Sequence, residues 1–240
     1  MELTGLRDSG PVGSVRFCVP WRSDNGRREK IWTHCRAHWE RACPDIPIVE
    51  ADSGSETFNR SASVNAAAGG TWDVAVILDA DVLAPGEQVY AAIETAQRTG
   101  HMTLGFTTYH GLVGRMSDRV MDGYKGDRTR AVRWKSDFHE SSIVAMPRGL
   151  WDEVGGMDPR FEGWGQDDVA FAAACRTIGG ALERIDGVVE HLFHPRSMER
   201  DRRKPTYQRA QALGKRYRGA AGDVSAMRAL LAERFEGATS

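Results

Sequence analysis

The sequence predicts an α/β domain on a mainly parallel central sheet, and three observations carry that expectation. Short apolar stretches alternate along the chain with segments of helical periodicity, the pattern of strands joined by crossover helices. One stretch, Trp72–Val82 (WDVAVILDADV), is continuously apolar until it ends in acids, as expected of a strand covered on both faces. The 240 residues, 41% of them hydrophobic, suffice for one large domain or somewhat more.

Val15–Pro20 (VRFCVP) reads as a buried strand stopped by proline. The next segment, RREKIWTHCRAHWERAC, sets Ile31, Cys35, Trp39 and Ala42 on one helical face. Pro47–Glu50 is a second short strand, and NRSASVNAAAGG an alanine-rich helix stopped by Gly69 and Gly70. After the Trp72–Val82 strand come a helix, GEQVYAAIETAQRTG, and a strand, MTLGF. Between Thr107 and Phe138 periodicity fails, and this glycine- and charge-rich stretch reads as a long loop, functional or mobile. SSIVAM resumes as strand, RGLWDEVGG is a short helix with a glycine stop, and a helix follows Asp167 and Asp168. ALERI and VVEHLFHP complete the strand candidates, and DVSAMRALLAERF is an amphipathic helix capped by Asp223. These segments suggest a tail over 1–13, a domain over 14–195, and a basic segment with C-terminal helices over 196–240.

A net charge of −1 gives no support to nucleic-acid binding. No apolar run approaches a membrane span, and the N-terminus lacks a signal-peptide pattern, so a cytoplasmic protein is the default expectation. The four cysteines, Cys18, Cys35, Cys43 and Cys175, lack CxxC spacing and read as reduced thiols.

Four groups of residues can carry chemistry. Asp79 and Asp81 stand where the most apolar strand leaves its sheet, the place where open α/β sheets bind ligands. Alternate residues of an extended segment point to opposite sides, so one carboxylate can hold Mg²⁺ or Mn²⁺ while the other holds a neighbouring group. The pair serves equally well as a polar strand end. His191 and His194, three apart beyond a strand, are a second candidate metal pair, or structural histidines. Arg22 and Arg60 each follow a strand and can bind phosphate or a base carbonyl, while Asp52 can accept from a base N–H. In RFEGWGQDDVAF, Trp164 offers a flat apolar face between Gly163 and Gly165, followed by Asp167 and Asp168. Aspartates there also suit a helix N-terminus, and mutual repulsion should raise the proton affinity of one of them.

Taken in order, P-W-R, F-N-R, Asp-x-Asp, G-W-G-x-D-D and H-x-x-H resemble the metal-dependent glycosyltransferases of GT-A fold. The similarity is greatest to the catalytic domain of the β-1,4-galactosyltransferases and the related C-terminal galactosyltransferase module, over about Val15 to Pro195. The resemblance implies a Rossmann-like nucleotide-sugar-binding fold, with Arg22, Phe58 and Arg60 at the nucleotide and Asp81 on the metal. It places Asp79 at the donor ribose or sugar, one of His191 and His194 on the metal with His194 favoured, and Trp164, Asp167 and Asp168 at the acceptor. Pro20, Asp52 and Ala80 join the donor set, and Gly163 and Gly165 the acceptor set. Two departures stand out: Asp167 replaces the usual Glu, one methylene longer, and no stretch reads as the family's membrane anchor and stem, so a protein without them is expected, as among bacterial and phage relatives.

The expected reaction is transfer of a sugar from a nucleotide donor, UDP-linked by preference, to a hydroxyl of a glycan, protein or small-molecule acceptor. Mn²⁺ (or Mg²⁺) serves as cofactor, the outcome is inverting, and Asp168 acts as base. The alternatives are a retaining transferase of the polypeptide N-acetylgalactosaminyltransferase type, a non-catalytic sugar- or nucleotide-binding module, and a nucleotidyltransferase. The last is disfavoured by the lack of a glycine-rich phosphate loop near the first strand. The basic run from Arg196, with Arg200 and Arg202, is expected to fold over the diphosphate as a flexible lid.

Overall fold

The computed structural model describes residues 14–195 and 201–236; the expected tail and the Arg196 and Arg200 end of the basic run lie outside them. Six strands form the central sheet: β1 (Val15–Pro20), β2 (Ile48–Ala51), β3 (Val74–Leu78), β5 (Met102–Leu104), β8 (Ile143–Pro147) and β9 (Leu182–Arg184), in the order β2-β1-β3-β8-β5-β9. β1 pairs in parallel with β2 and β3, and β5 with β9. β8 runs antiparallel to both neighbours, so the sheet is α/β and mixed, with parallel pairings in the majority. Helices cover it: α1 (Arg27–Ala42), α2 (Arg60–Ala67), α3 (Gly86–Thr99), α5 (Arg148–Val154) and α6 (Asp167–Gly179).

Local chemistry explains the elements. β3 and β8 bury all their residues, which is why they read as unbroken apolar runs. On α1, Ile31, Cys35 and Trp39 recur every four residues and are buried, and the Asp24 carboxylate accepts from the N–H groups of Gly26 and Glu29 at its start. Asn59 caps α2 by accepting from Ala62 N at 2.9 Å. Gly100, at φ +73°, ends α3 in the left-handed conformation that glycine adopts without strain. All four cysteines are buried and unpaired with one another.

Two expectations change. The stretch 107–138 is structured: β6 (Thr108–Leu112), α4 (Gly114–Met121), a single 3₁₀ turn at Thr129–Ala131 and β7 (Val132–Ser136). Its strands mix Thr, His, Arg, Lys and Ser with apolar residues, and β7 has no fully buried residue, so hydrophobic periodicity is faint. With β4 (Val82–Leu83) and β10 (Val188–His191) they form a second sheet, β4-β10-β6-β7. Thus the single strand expected over Trp72–Val82 is two strands in different sheets, parted by Asp79–Asp81. Of the lid expected over 196–210, the part from Pro205 is helical: α7 (Pro205–Ala220) starts there, and the missing proline N–H costs nothing at a helix start. α7 and α8 (Val224–Glu236) pack beside α6. Tyr217 on α7 donates to the buried Asp158 at 2.7 Å, and Arg160 binds Asp158 as well as the Leu230 carbonyl on α8. Asp223 does cap α8, accepting from Ala226 N at 3.0 Å. Among the described residues no helix is long and apolar enough to cross a membrane.

Candidate metal and transfer site

The chain leaves β3 at Leu78 and enters the second sheet at β4, so Asp79–Ala80–Asp81 spans the gap between the two sheets. Val82 pairs with His191 across the β4–β10 ladder, and Leu192 N donates to the Asp81 carbonyl at 2.8 Å. This register brings His191 and then His194 against Asp81. Asp81 Oδ2 lies 3.0 Å from His194 Nε2 and 3.5 Å from His191 Nε2, and one ligand atom from each of the three falls within 4.8 Å of the others. Burial works to raise the Asp81 pKa, but the charge and hydrogen bonds of His191 and His194 hold it well below the usual carboxylate range. His191 moves the other way: burial depresses its pKa, and Asp81 more than restores it.

The donor set fits a divalent cation. His194 Nδ1–H donates to the Pro195 carbonyl at 2.8 Å, which leaves Nε2 as the ring atom turned to the Asp81 carboxylate. Two electron-rich atoms 3.0 Å apart then require a proton or a metal ion between them. One carboxylate oxygen with two imidazoles suits Mn²⁺ or a related first-row ion. Trp21, Arg28, Ile31 and Ala80 line the cavity beside Asp81 and His194, with the Arg28 guanidinium 4.0 Å from Asp81.

Farther along the edge, Arg22, just past β1 and its last residue Pro20, makes a two-pronged pair with Asp52 at 2.6 and 2.7 Å. It also donates to the carbonyls of Ser55 and Glu56 and lies over the Phe58 ring at 5.5 Å. The pair lowers the pKa of Asp52 through the hydrogen bonds from Arg22. Three expected donor residues thus form one cluster.

Arg60 lies elsewhere. Its guanidinium reaches Asp79 Oδ1 at 2.7 and 3.1 Å and Asp167 Oδ2 at 3.2 Å, joining the strand end to the start of α6. Asp167 and Asp168 are the first two residues of α6, and neither is its cap. That position belongs to Gln166, at φ +74° and making no side-chain capping bond. Gln166 is held from outside by Arg218 and by the close approach of Gly214, where an added Cβ would come within 2.7–3.0 Å of its side chain. Asp168 accepts from Val169 N at 2.8 Å. Burial first, then the charges of Asp167 and Asp79, push its pKa up to about 6 against the pull of Arg60 and the Val169 N–H. Gly163 and Gly165 take φ +79° and +99°, which presents Trp164 half-open on the turn. The Trp164 ring lies parallel to Tyr207 of α7, with centroids 6.3 Å apart.

Several residues of the site escaped the sequence reading. Ser141 donates to Asp79 Oδ2 at 3.2 Å and contacts His139 Nε2 at 3.1 Å; burial lowers the His139 pKa to about 4. Tyr109 stacks on Trp134 with centroids 4.5 Å apart and packs against His139 and His191. Arg28 and Tyr207 belong with them. Each is recruited by long-range packing and has no local pattern; only Arg28, just behind the P-W-R motif, had a neighbouring signal. Arg202 is exposed and lies outside these contacts as described.

Residues 129–197 match a family model described as the N-terminal domain of galactosyltransferase, a stretch from the end of the second-sheet insertion through α6 to the histidine pair. No curated protein matches the chain. Among solved structures, the catalytic domain of Drosophila β1,4-galactosyltransferase 7 in complex with xylobiose superposes with a TM-score of 0.52 at 15% identity, covering 82% of this chain and 79% of that one. GalNAc-T7 with UDP, GalNAc and Mn²⁺ gives a TM-score of 0.48 at 14% identity over 91% of this chain and 48% of that one. Glucosyl-3-phosphoglycerate synthase of Mycobacterium tuberculosis gives 0.45 at 12% identity over 92% and 80%. The chain has the GT-A glycosyltransferase fold, and a galactosyltransferase model covers the part of it that carries the carboxylate pair and both histidines.

Proposed function

We propose that this protein is an inverting, Mn²⁺-dependent glycosyltransferase that moves a sugar from a UDP-sugar to a hydroxyl of a glycan acceptor. The observation that carries the reading is the placement of two unlike centres at the ends of one short bridge. Asp81 at one end meets His191 and His194, while Asp79 at the other end joins, through Arg60, the pair containing Asp168.

Each residue has work in that reaction. Arg22, Asp52 and Phe58 hold the base and ribose end of the donor, and Arg28 faces the diphosphate. Asp81, His191 and His194 would hold Mn²⁺, which would supply positive charge against the leaving diphosphate. Trp164 supplies the flat face on which an acceptor ring rests. Asp168 is mostly ionised at neutral pH and takes the acceptor hydroxyl proton as that oxygen bonds to the anomeric carbon and the bond to the diphosphate breaks. A carboxylate with a pKa of about 6 is a stronger base than an ordinary aspartate and remains available at pH 7. Arg60 bridges Asp167 and Asp79 and holds both carboxylates in place.

The test is a screen of UDP-sugars for Mn²⁺-dependent hydrolysis and for transfer to oligosaccharides, followed by assignment of the product anomer by NMR. Inversion supports Asp168 as base. Retention would assign the carboxylates to positioning only and favour the retaining alternative.

A further inference from the structure

The segment 107–138 fits none of the expected motifs, yet much of it converges on the four residues His191–His194. Phe193, inside the H-x-x-H run, is gripped at every point. Its N–H donates to Ser117 Oγ of α4 at 2.8 Å, and its carbonyl accepts from Arg27 Nε of α1 at 2.8 Å. Two guanidinium groups lie over its ring, Arg27 at 5.7 Å and Arg133 of β7 at 5.8 Å. Gly114 lets α4 approach that ring, where an added Cβ would stand 3.2 Å away. Arg27 is itself anchored by Asp118 at 2.8 Å, while its NH2 nitrogen is buried without a hydrogen-bond partner, a desolvation cost borne by the arrangement. On the other side, β6 pairs with β10 so that Gly111 faces His191, and Tyr109 packs on the His191 ring.

From this geometry we infer that Arg27 and Ser117 are positioning residues for the metal centre: they clamp the backbone of Phe193 and so set His194 against Asp81. The inference rests on the metal reading above and adds the function of the second-sheet insertion. His194 lies past the end of β10, where a ligand on irregular backbone samples many arrangements, and outer contacts that fix such a ligand improve metal affinity by about 10–100-fold in comparable sites.

The sign of the effect separates this role from simple electrostatics. Arg27 is a cation on the chain next to a metal ligand, so its removal on Coulomb grounds alone strengthens binding of a divalent ion. The clamp requires the opposite. Free Mn²⁺ is counted by its EPR signal during titration of metal-free protein, with no donor, acceptor or turnover involved. Arg27→Met is expected to weaken Mn²⁺ binding by about 10-fold or more, with thermal unfolding of the metal-free protein close to wild type. Ser117→Ala should act in the same direction by a smaller factor. Arg27→Lys, which keeps the charge and one donor, should recover part of the loss. Arg36→Met, on the same helix and paired with Glu40 and Glu50, should leave affinity unchanged. If Arg27→Met fails to fold, the Lys and Ala variants decide the matter. Unchanged or tighter Mn²⁺ binding in the folded variants, with the wild-type chain binding normally, overturns the clamp. No Mn²⁺ binding by the wild-type chain overturns the metal reading itself.

Discussion

In the central sheet, β3 and β8 bury every residue, and five register pairs join them. In the second sheet, β4 is two residues long, β7 has no fully buried residue, and β6 and β7 shift register between Gly111 and Leu112. The middle of the first is held by apolar packing, while its edge strands β2 and β9 are half-buried. The second depends on ladders a few residues long and on side-chain fasteners such as Arg27–Phe193, Ser117–Phe193 and Arg128–Glu190. The candidate ligands His191 and His194 lie at and just beyond the end of β10 in the second. Local opening is drawn from regions with few buried apolar contacts, and in the second sheet β7, with no fully buried residue, is the strand of that kind. Under the proposed function, a metal ion held by Asp81, His191 and His194 would tie the chain before β4 to β10 and the chain after it, so this sheet, more than the other, is expected to respond to the ion.

The sharpest way to break this comparison is Asp81→Ala. Asp81 lies between the sheets and outside the packed faces of β3 and β8, so the variant should fold. It should lose Mn²⁺ binding and most Mn²⁺-dependent transfer, by about 10³-fold or more, the value of several kcal/mol of charge stabilisation. Removal of metal from the wild-type protein with EDTA should do the same, with Mn²⁺ restoring activity better than Ca²⁺, which prefers more oxygen ligands. Hydrogen exchange should then reveal protection by Mn²⁺ in β10 and β6, with β3 unchanged. Equal protection in both sheets would mean that they open as one unit.

Next in size is Asp168→Asn, at the end of α6 that faces the central sheet. Transfer should fall by about 10²–10⁴-fold, as for loss of a general base, with Mn²⁺ affinity unaltered. In the wild-type enzyme, activity should fall as pH drops through about 6, where Asp168 takes up a proton. Stability runs the other way. A carboxyl with its pKa raised in the fold stabilises the folded state fully below its unfolded pKa, and the contribution is lost as pH rises through about 6. Asp168→Asn, neutral throughout, should therefore gain more in melting temperature relative to wild type at pH 8 than at pH 5. A gain independent of pH would remove Asp168 from the role of a destabilised, functional acid.

The two sheets also differ in how far the chain announces them. Ile77 and Leu78 belong to an apolar run with one reading, and the helix faces of α1 and α3 repeat at helical spacing, so the layers were legible. β6 (TYHGL) and β7 (VRWKS) are five-residue stretches that mix polar with apolar residues; β6 is fixed by pairing with β10, which arrives some 80 residues later in the chain, and β7 by pairing with β6. The site divides similarly. Asp81, His191 and His194 lie close within short motifs and were readable together. Arg60 was not, because an arginine after a strand looks like a phosphate ligand until the fold places Asp79 and Asp167 on either side of it. His139, Ser141 and Tyr109 depend on closure of both sheets around Asp79, and nothing in their own neighbourhoods marks them.

The smallest expected effects come from two tryptophans, one beside each sheet, and they should cross. Trp72, just before β3, is buried, packs edge-on against Trp151 at 5.8 Å and donates to the Ala68 carbonyl at 2.8 Å. Trp72→Ala empties a core position and should cost about 3–5 kcal/mol of stability, while the folded fraction binds Mn²⁺ as tightly as wild type. Trp134, on β7, is 44% exposed and gains its place by stacking on Tyr109, in the space that Gly111 leaves by having no side chain. Trp134→Ala should cost only about 0.5–1.5 kcal/mol, the worth of an aromatic pair with part of its area still in water. Tyr109 also packs against His191, so its loosening should weaken Mn²⁺ binding several-fold although far less stability is lost. Denaturant unfolding and Mn²⁺ titration on both variants measure the two axes. If Mn²⁺ affinity instead falls in step with stability in both, the second sheet is not a separate holder of the metal ligands, and the distinction between the sheets dissolves into a single cooperative fold.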